Sequence, residues 1–462
     1  MTATKDTAVE LFAQTGSYPI RAGNRVRPLI DGEPAFRRIC QAIESARRSV
    51  WVTVAFIHEN FQMPDGRGSL FDVLDAAESR GLDVRALFWR NNEGSGFDES
   101  HIFSGDAAHR AMLFERRSRF LARWDRAEKK YCQHQKSWIV DAGYEGEVAF
   151  VGGINLERES VVSPGHSHGN HRHTHDIYLE LHGPSATDVH HNFVQRWNEA
   201  SDRNEPDGTW PDAEQAAALH FPKHTSPERG DVVAQVQRTV RPGLYNDGTA
   251  APDALPFDIA AGERSCFEQY ERAIARAEKY IYFENQALGQ PETVSALHAA
   301  LERGVMVTVL VPADPNDFMA EARKDPRSKP FFDRLGALGD YPHFLLAGIG
   351  RSISNGERQN IYVHAKAGII DDQWATVGSC NIGARSFFGD TELNVSFLCT
   401  QTARLLRVEL FQEHLGIDTG AHDGVSACRR YQQLARENAK RLAAGTEPDG
   451  LAFALDPKTY GS

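Results

Sequence analysis

Two histidine–lysine pairs carry the candidate chemistry of this 462-residue chain. His134 and Lys136 lie in YCQHQKSWIVD, Tyr131 to Asp141, and His364 and Lys366 lie in IYVHAKAGIID, Ile361 to Asp371. Each copy reads His, any residue, Lys, four residues, Asp. Each is followed by small residues and an asparagine: Gly152, Gly153 and Asn155 in the first, Gly378, Ser379 and Asn381 in the second. A neutral imidazole can attack phosphorus, a lysine supplies positive charge to phosphate oxygens, and an asparagine amide donates hydrogen bonds without adding a titrating group. With two copies face to face, one histidine is nucleophile while the other protonates the leaving oxygen and later activates water. Such a set cleaves phosphodiesters without a metal, and no cofactor is expected.

Strands ending in turns would position these groups. Gln133 to Val140 is short, carries aromatic and β-branched residues, and leads to Asp141 and Gly143, the pattern of a strand meeting a turn. Side chains alternate along a strand, so His134 and Lys136 are expected on one face. Asp141 falls out of that phase and is expected to fix the strand end by capping loop N–H groups, with Asp371 as its counterpart.

The histidines stand 230 positions apart, about half the chain, so the repeating unit is a domain and the two copies should stack. A helix over 35–48, with Phe36, Ile39, Cys40 and Ile43 at helical spacing, feeds an apolar strand over 50–57; 266–279 and 280–283 repeat the unit. Helices over 70–80 and 294–303 then precede strands over 84–89 and 307–311. Helix and strand alternate in both copies, which predicts an α/β fold: two similar α/β/α halves packed about a pseudo-twofold axis, with the active site at their interface. Residues 1–205 form the first half, the polar, proline-bearing 206–230 a linker, and 231–462 the second half with a helix over 427–443 and a tail.

The chain resembles the phospholipase D superfamily, and within it phospholipase D proper. The resemblance rests on His134-Gln-Lys136, Phe150-Val-Gly-Gly-Ile154, Ile361-Tyr-Val-His-Ala-Lys366, Ile370-Asp-Asp372, Gly378-Ser-Cys-Asn381, Arg385-Ser386, IYFENQ at Ile281 to Gln286 and EHLG at Glu413 to Gly416. It spans roughly Gly23 to Gly416. Three positions depart from the pattern: Gly153 stands where many members have Ser, Asn155 where the eukaryotic type has Asp, and Thr174 where a tryptophan often precedes the His-Asp pair.

The resemblance implies a phospholipid substrate met by transient contact with a membrane surface, and hydrolysis or transphosphatidylation through a phosphohistidine. His134 would be the nucleophile and His364 the acid and base. Lys136, Lys366, Asn155 and Asn381 would bind phosphate oxygens. A carboxylate behind each histidine would orient its ring; by position after each motif, Asp176 should serve His134 and Glu392 should serve His364. A phosphatidyltransferase like cardiolipin synthase is the alternative, followed by a nuclease and, least favoured, a phosphate-binding protein without turnover.

Five histidines in GHSHGNHRHTH, His166 to His175, could suit a transition metal; a solvated loop near the site mouth is the preferred reading. Net charge is −12 with pI near 5.9, which disfavours nucleic-acid binding. Arg116, Arg117, Arg119, Arg123 and Arg126 are read as a solvated helix face. The six cysteines lack paired spacing, and neither a signal peptide nor an 18-residue apolar run is visible, so a cytoplasmic protein with no integral membrane segment is expected, non-classical export being compatible.

Overall fold

The computed structural model describes residues 10–92, 94–212, 216–354 and 356–461. The first half contributes β1 (Arg21–Ile30), β2 (Ser49–Val54), β3 (Asp83–Trp89), β4 (Leu121–Asp125), β5 (Ser137–Val140), β6 (Val148–Gly152), β7 (Thr174–His175), β8 (Ile177–His182) and β9 (Thr209–Trp210). The second contributes β10 (Val232–Val240), β11 (Glu263–Arg264), β12 (Tyr280–Asn285), β13 (Met306–Leu310), β14 (Phe344–Ser352), β15 (Arg358–Val363), β16 (Lys366–Ile370), β17 (Trp374–Gly378), β18 (Glu392–Leu398) and β19 (Ala452–Leu455).

One strand order occurs twice. The first half runs β1-β8-β6-β5-β2-β3-β4, and the second runs β10-β18-β17-β16-β12-β13-β14. In each, the last three strands are parallel and the others antiparallel. Parallel neighbours need a crossover, supplied by helix Leu70–Glu78 between β2 and β3 and by Pro291–Glu302 between β12 and β13. The first of these helices starts where Ser69 and Asp72 cap each other's backbone N–H. Strand β1 pairs with β10 near Arg21 and with β8 over Arg25–Ile30, tying the two sheets together.

Period-two alternation decides which residues face the partner half. Ile139, Ala149 and Val151 join Ala367, Ile369, Ala375 and Val377 in a core shared by both sheets. The alternate residues Trp138, Val140, Val148 and Phe150 turn outward under helix Gly32–Ser45, and Ile370 and Trp374 turn toward helix Ser265–Arg276. The two α/β halves therefore stack sheet to sheet, with outer helices on both.

Several expectations need correction. Strand β5 begins at Ser137, not Gln133, because Gln133 leaves its own sheet to bridge Thr391 in parallel. The predicted linker holds a short strand, β9, paired with β4. The arginine-rich segment is no continuous helix face: helix Ala107–Arg116 ends at Arg117, which has φ 60°. Arg123 is buried on β4 and donates to the carbonyls of Trp197 and Ala216, and Arg126 pairs with Asp202 at 3.0 Å. The tail gains a strand, β19, which pairs with β14. Among the described residues no helix is long and apolar enough to cross a membrane.

Candidate active site

Each motif aspartate sits one residue past its strand in the left-handed region, with φ 57° at both Asp141 and Asp371. From there the Asp141 carboxylate accepts from the backbone N–H of Arg47 (2.9 Å), Arg48 (2.7 Å) and Ser49 (3.3 Å). Asp371 does the same for Glu278, Lys279 and Tyr280 at 2.8, 2.9 and 2.7 Å. Both therefore pin the entry to the central strand that neighbours the motif strand, and neither reaches the catalytic cleft.

Upstream of each motif strand the chain crosses toward the other half. His134 N–H donates to the Thr391 carbonyl (3.1 Å) and Thr391 N–H to the Cys132 carbonyl (3.1 Å). In the symmetry-related place, β7 pairs with Tyr362 and Val363, and His364 N–H donates to the His175 carbonyl (2.9 Å). The next residues along the bridged strands are Glu392 and Asp176.

The carboxylates are consequently exchanged between halves, against the expectation from motif order. His134 Nδ1 lies 2.9 Å from Glu392 Oε2, and His364 Nδ1 lies 2.6 Å from Asp176 Oδ2. All four side chains are buried. Ser379 donates to Glu392 at 2.5 Å. The first half has glycine at the matching position, and a Cβ on Gly153 would meet the Asp176 carboxylate at 2.5 Å. A side chain at Gly153 would therefore crowd the Asp176 carboxylate.

The electrostatics favour neutral rings. Burial, reinforced by Lys136 and Lys366, holds His134 well below the usual imidazole range. Burial and Lys366 lower His364 to about 4, although Asp176 opposes them. Burial lowers Lys366 to about 7 and also depresses Lys136. Burial and the nearby Asp390 raise Glu392 to about 8, whereas for Asp176 burial, the largest single influence, is outweighed by the hydrogen bond and charge of His364 together with the Lys366 charge, which keep the carboxyl below its usual range. A neutral imidazole retains the lone pair needed for attack, and a buried charged lysine is an electrostatic partner for an anion.

Both lysines fold back on their own motifs: Lys136 Nζ donates to the His134 carbonyl at 2.8 Å and Lys366 Nζ to the His364 carbonyl. Lys366 also reaches Gln286 Oε1 at 3.1 Å, and Gln286 Nε2 donates to the Tyr362 hydroxyl at 2.9 Å. Gln286 lies in the IYFENQ segment, one residue past apolar strand β12, which pairs antiparallel with motif strand β16 and sets Asn285 opposite Lys366; the polar residues closing that apolar run are the signal. Tyr362 stacks on His364, and Phe56 stands edge-on to His134.

His134, His364, Asn155 and Asn381 open into one cavity of about 740 Å³. Asn155 Oδ1 and Asn381 Oδ1 have no hydrogen-bond partner among the described residues. The same cavity is lined by the apolar Phe97, Phe318, Met319, Ala322 and Phe331 and by the polar Asp98, Asn316, Arg327 and Ser328, and Phe318 is exposed. The larger cavity, about 1010 Å³, touches neither catalytic histidine. The histidine-rich segment is not the solvated loop expected: His166, His173 and His175 are buried, while His168 is exposed.

This geometry has relatives. Residues 39–197 and 270–413 match the family model described as "Cardiolipin synthase, PLD-like domain", and 158–293 match the one described as "Phospholipase D". Cardiolipin synthase A of Pseudomonas entomophila (strain L48) is 25% identical over 383 residues, 82% of this chain and 66% of its own length. Phospholipase D alpha 2 of Oryza sativa subsp. japonica is 25% identical over 517 aligned positions, covering 86% and 60%. The chain thus spans less than two thirds of the length of these two relatives. Phosphatidylserine synthase from Haemophilus influenzae Rd KW20 superposes with a TM-score of 0.57 at 12% identity, covering 96% of this chain and 99% of that one; at that identity the likeness shows a shared fold.

Proposed function

Since the chain belongs to the PLD-like cardiolipin synthase domain family of the phospholipase D superfamily, we propose that it is a phosphatidyltransferase. It would move the phosphatidyl group of a glycerophospholipid onto an alcohol, with water as a competing acceptor. The observation that carries this reading is the pair of buried imidazoles, each held at Nδ1 by a carboxylate of the other half and both facing one cavity.

With Nδ1 engaged, Nε2 of each ring is the nitrogen available for chemistry. His134 Nε2 attacks phosphorus, a P–N bond forms, and the P–O bond to the headgroup alcohol breaks as His364, which enters this step as the imidazolium favoured by Asp176 and by the bound phosphodiester anion, gives its Nε2 proton to the departing oxygen. The acceptor alcohol then gives its proton to His364 and its oxygen to phosphorus, and the P–N bond breaks. Lys136, Lys366 and the amides of Asn155 and Asn381 stabilise the non-bridging oxygens as charge builds there. The nucleophile assignment follows the family resemblance, because the two dyads are near-equivalent by symmetry.

Two features support a lipid substrate reacting with an alcohol. The cavity wall includes Phe97, Phe318, Met319 and Phe331, suited to acyl chains, and several of the chain's relatives are cardiolipin synthases. This favours transfer over the hydrolysis that the resemblance implies alongside it. The test is mass spectrometry of products from mixed vesicles of phosphatidylethanolamine and phosphatidylglycerol, with and without added glycerol. Cardiolipin, or a glycerol-dependent rise in phosphatidylglycerol, is the expected outcome. Phosphatidic acid alone at saturating glycerol would make the protein a hydrolase. Intact lipid together with His364-dependent cleavage of DNA would make it a nuclease.

A further inference from the structure

We propose that Asp31, His166, His175 and Glu413 form a closed, four-ligand site for a divalent transition metal, zinc by the chemistry of its donors. The site lies behind the catalytic cleft and serves structure rather than phosphoryl transfer.

The four side chains converge from separate places in the chain. Asp31 follows β1 with φ 63°, His166 and His175 flank the glycine-rich segment, and Glu413 lies on helix Thr400–Leu415 of the second half. Their donor atoms all lie within 4.8 Å of one another, and all four residues are buried. His166 Nε2 is 3.4 Å from Asp31 Oδ2 and 3.1 Å from Glu413 Oε1. His175 Nδ1 is 2.9 Å from Asp31 Oδ1 and 3.5 Å from Glu413 Oε1. A tetrahedron with bonds of about 2.0–2.1 Å to nitrogen and oxygen has edges of about 3.3 Å; these separations, which reach one Asp31 oxygen from each imidazole, are of that size.

The hydrogen bonding points the same way. Asp31 Oδ2, His166 Nε2 and both Glu413 oxygens are buried without a hydrogen-bond partner among the described residues. Such atoms are costly unless a cation satisfies them. His175 Nδ1 is hydrogen-bonded to Asp31 Oδ1 at 2.9 Å, a contact that a shared ion would replace, and the outer nitrogens are engaged as well: His175 Nε2 meets Glu284 Oε2 at 2.9 Å and His166 Nδ1 meets His173 Nδ1 at 3.2 Å. A carboxylate behind a ligating imidazole is the usual outer support of a zinc-bound histidine, fixing its tautomer and turning the lone pair inward. Two imidazoles and two carboxylates match zinc better than the harder calcium or magnesium. Because all four positions come from protein, no vertex is open for substrate. The larger cavity reaches Pro164, Gly165 and Glu413, which gives an entry path.

The position explains what the ion would do. The His175 carbonyl accepts from His364 N–H, and Asp176 is the next residue. Fixing His175 between Asp31 and Glu413 therefore fixes the strand that orients His364, and clamps the first half to helix Thr400–Leu415.

The test is elemental analysis of the tag-free full-length protein after growth with added zinc and dialysis, with X-ray absorption at the zinc edge. Stoichiometric zinc with a four-coordinate nitrogen and oxygen shell containing two imidazoles is expected. His166→Ala and Glu413→Gln should each lose the metal, and His168→Ala should keep it. Protein that is metal-free as isolated and takes up none on incubation with zinc would overturn the proposal and make the cluster a network of imidazolium–carboxylate pairs. Sulfur in the shell, or zinc retained by both variants, would also overturn it. If the variants do not fold, the absorption spectrum of the wild-type protein decides.

Discussion

His364 Nδ1 and Asp176 Oδ2 are 2.6 Å apart across the interface of the two halves, 188 positions apart in sequence. The partner relationship, His134 with Glu392, spans 258 positions. Neither histidine is oriented by its own half, so an isolated half would present an unsupported ring.

This exchange dictates which carboxylate mutant should mimic which histidine mutant. Asp176→Asn should behave like His364→Ala, forming the covalent intermediate from a substrate with an activated leaving group and then turning over about 10³-fold more slowly. Glu392→Gln should instead impair formation of the intermediate. Burst kinetics with a chromogenic phosphodiester separates the two steps. The reverse pattern would restore pairing within each half.

The nucleophile can be identified directly. His364→Ala keeps the attacking ring but lacks the group that deprotonates the acceptor, so it should trap phosphohistidine from the activated substrate, and peptide mapping should place the label on His134. A label on His364 in His134→Ala, with none in the opposite variant, would swap the two roles.

The rate should fall with rising pH. Burial lowers Lys366 to about 7, and only its ammonium form neutralises a phosphate oxygen. As pH rises through that value the charge is lost, so kcat/KM should decline on the alkaline side. Lys366→Arg keeps its charge throughout, and its alkaline limb should move upward even if the maximal rate drops. An unchanged limb in this variant would assign the ionisation to another group.

Gly153→Ser should lower activity although it restores a residue common in the family. The added Cβ would stand 2.5 Å from the Asp176 carboxylate, so Asp176 must move from His364. The expected signature is slow breakdown of the intermediate with lipid binding preserved, read from single-turnover and equilibrium-binding measurements.

Asp141→Ala and Asp371→Ala should cost stability without altering the pH profile. Each removes a carboxylate that accepts three backbone N–H groups. A loss of about 2 kcal/mol in denaturant unfolding is expected. A changed pH profile would place these residues in the catalytic site instead.

The motif residues themselves were legible in sequence because chemistry limits them to a few residue types, and their repetition marked two α/β halves. The helix and strand units followed from periodicity, and the capping aspartates from a phase break at the strand end. Pairing of each carboxylate with its histidine was not legible. Asp176 follows the first motif in the chain, but its strand bridges Tyr362 and Val363, and only docking of the two sheets decides which ring it meets. The histidine-rich segment was misread for the same reason. Glycine and polar residues suggested solvent, yet Asp31, Glu284 and Glu413 lie far from that segment in sequence and close around it in space. Local sequence encodes propensity and chemical type, whereas partners brought together from distant segments exist only once the shared core of Ile139, Val151, Ala367 and Val377 has closed.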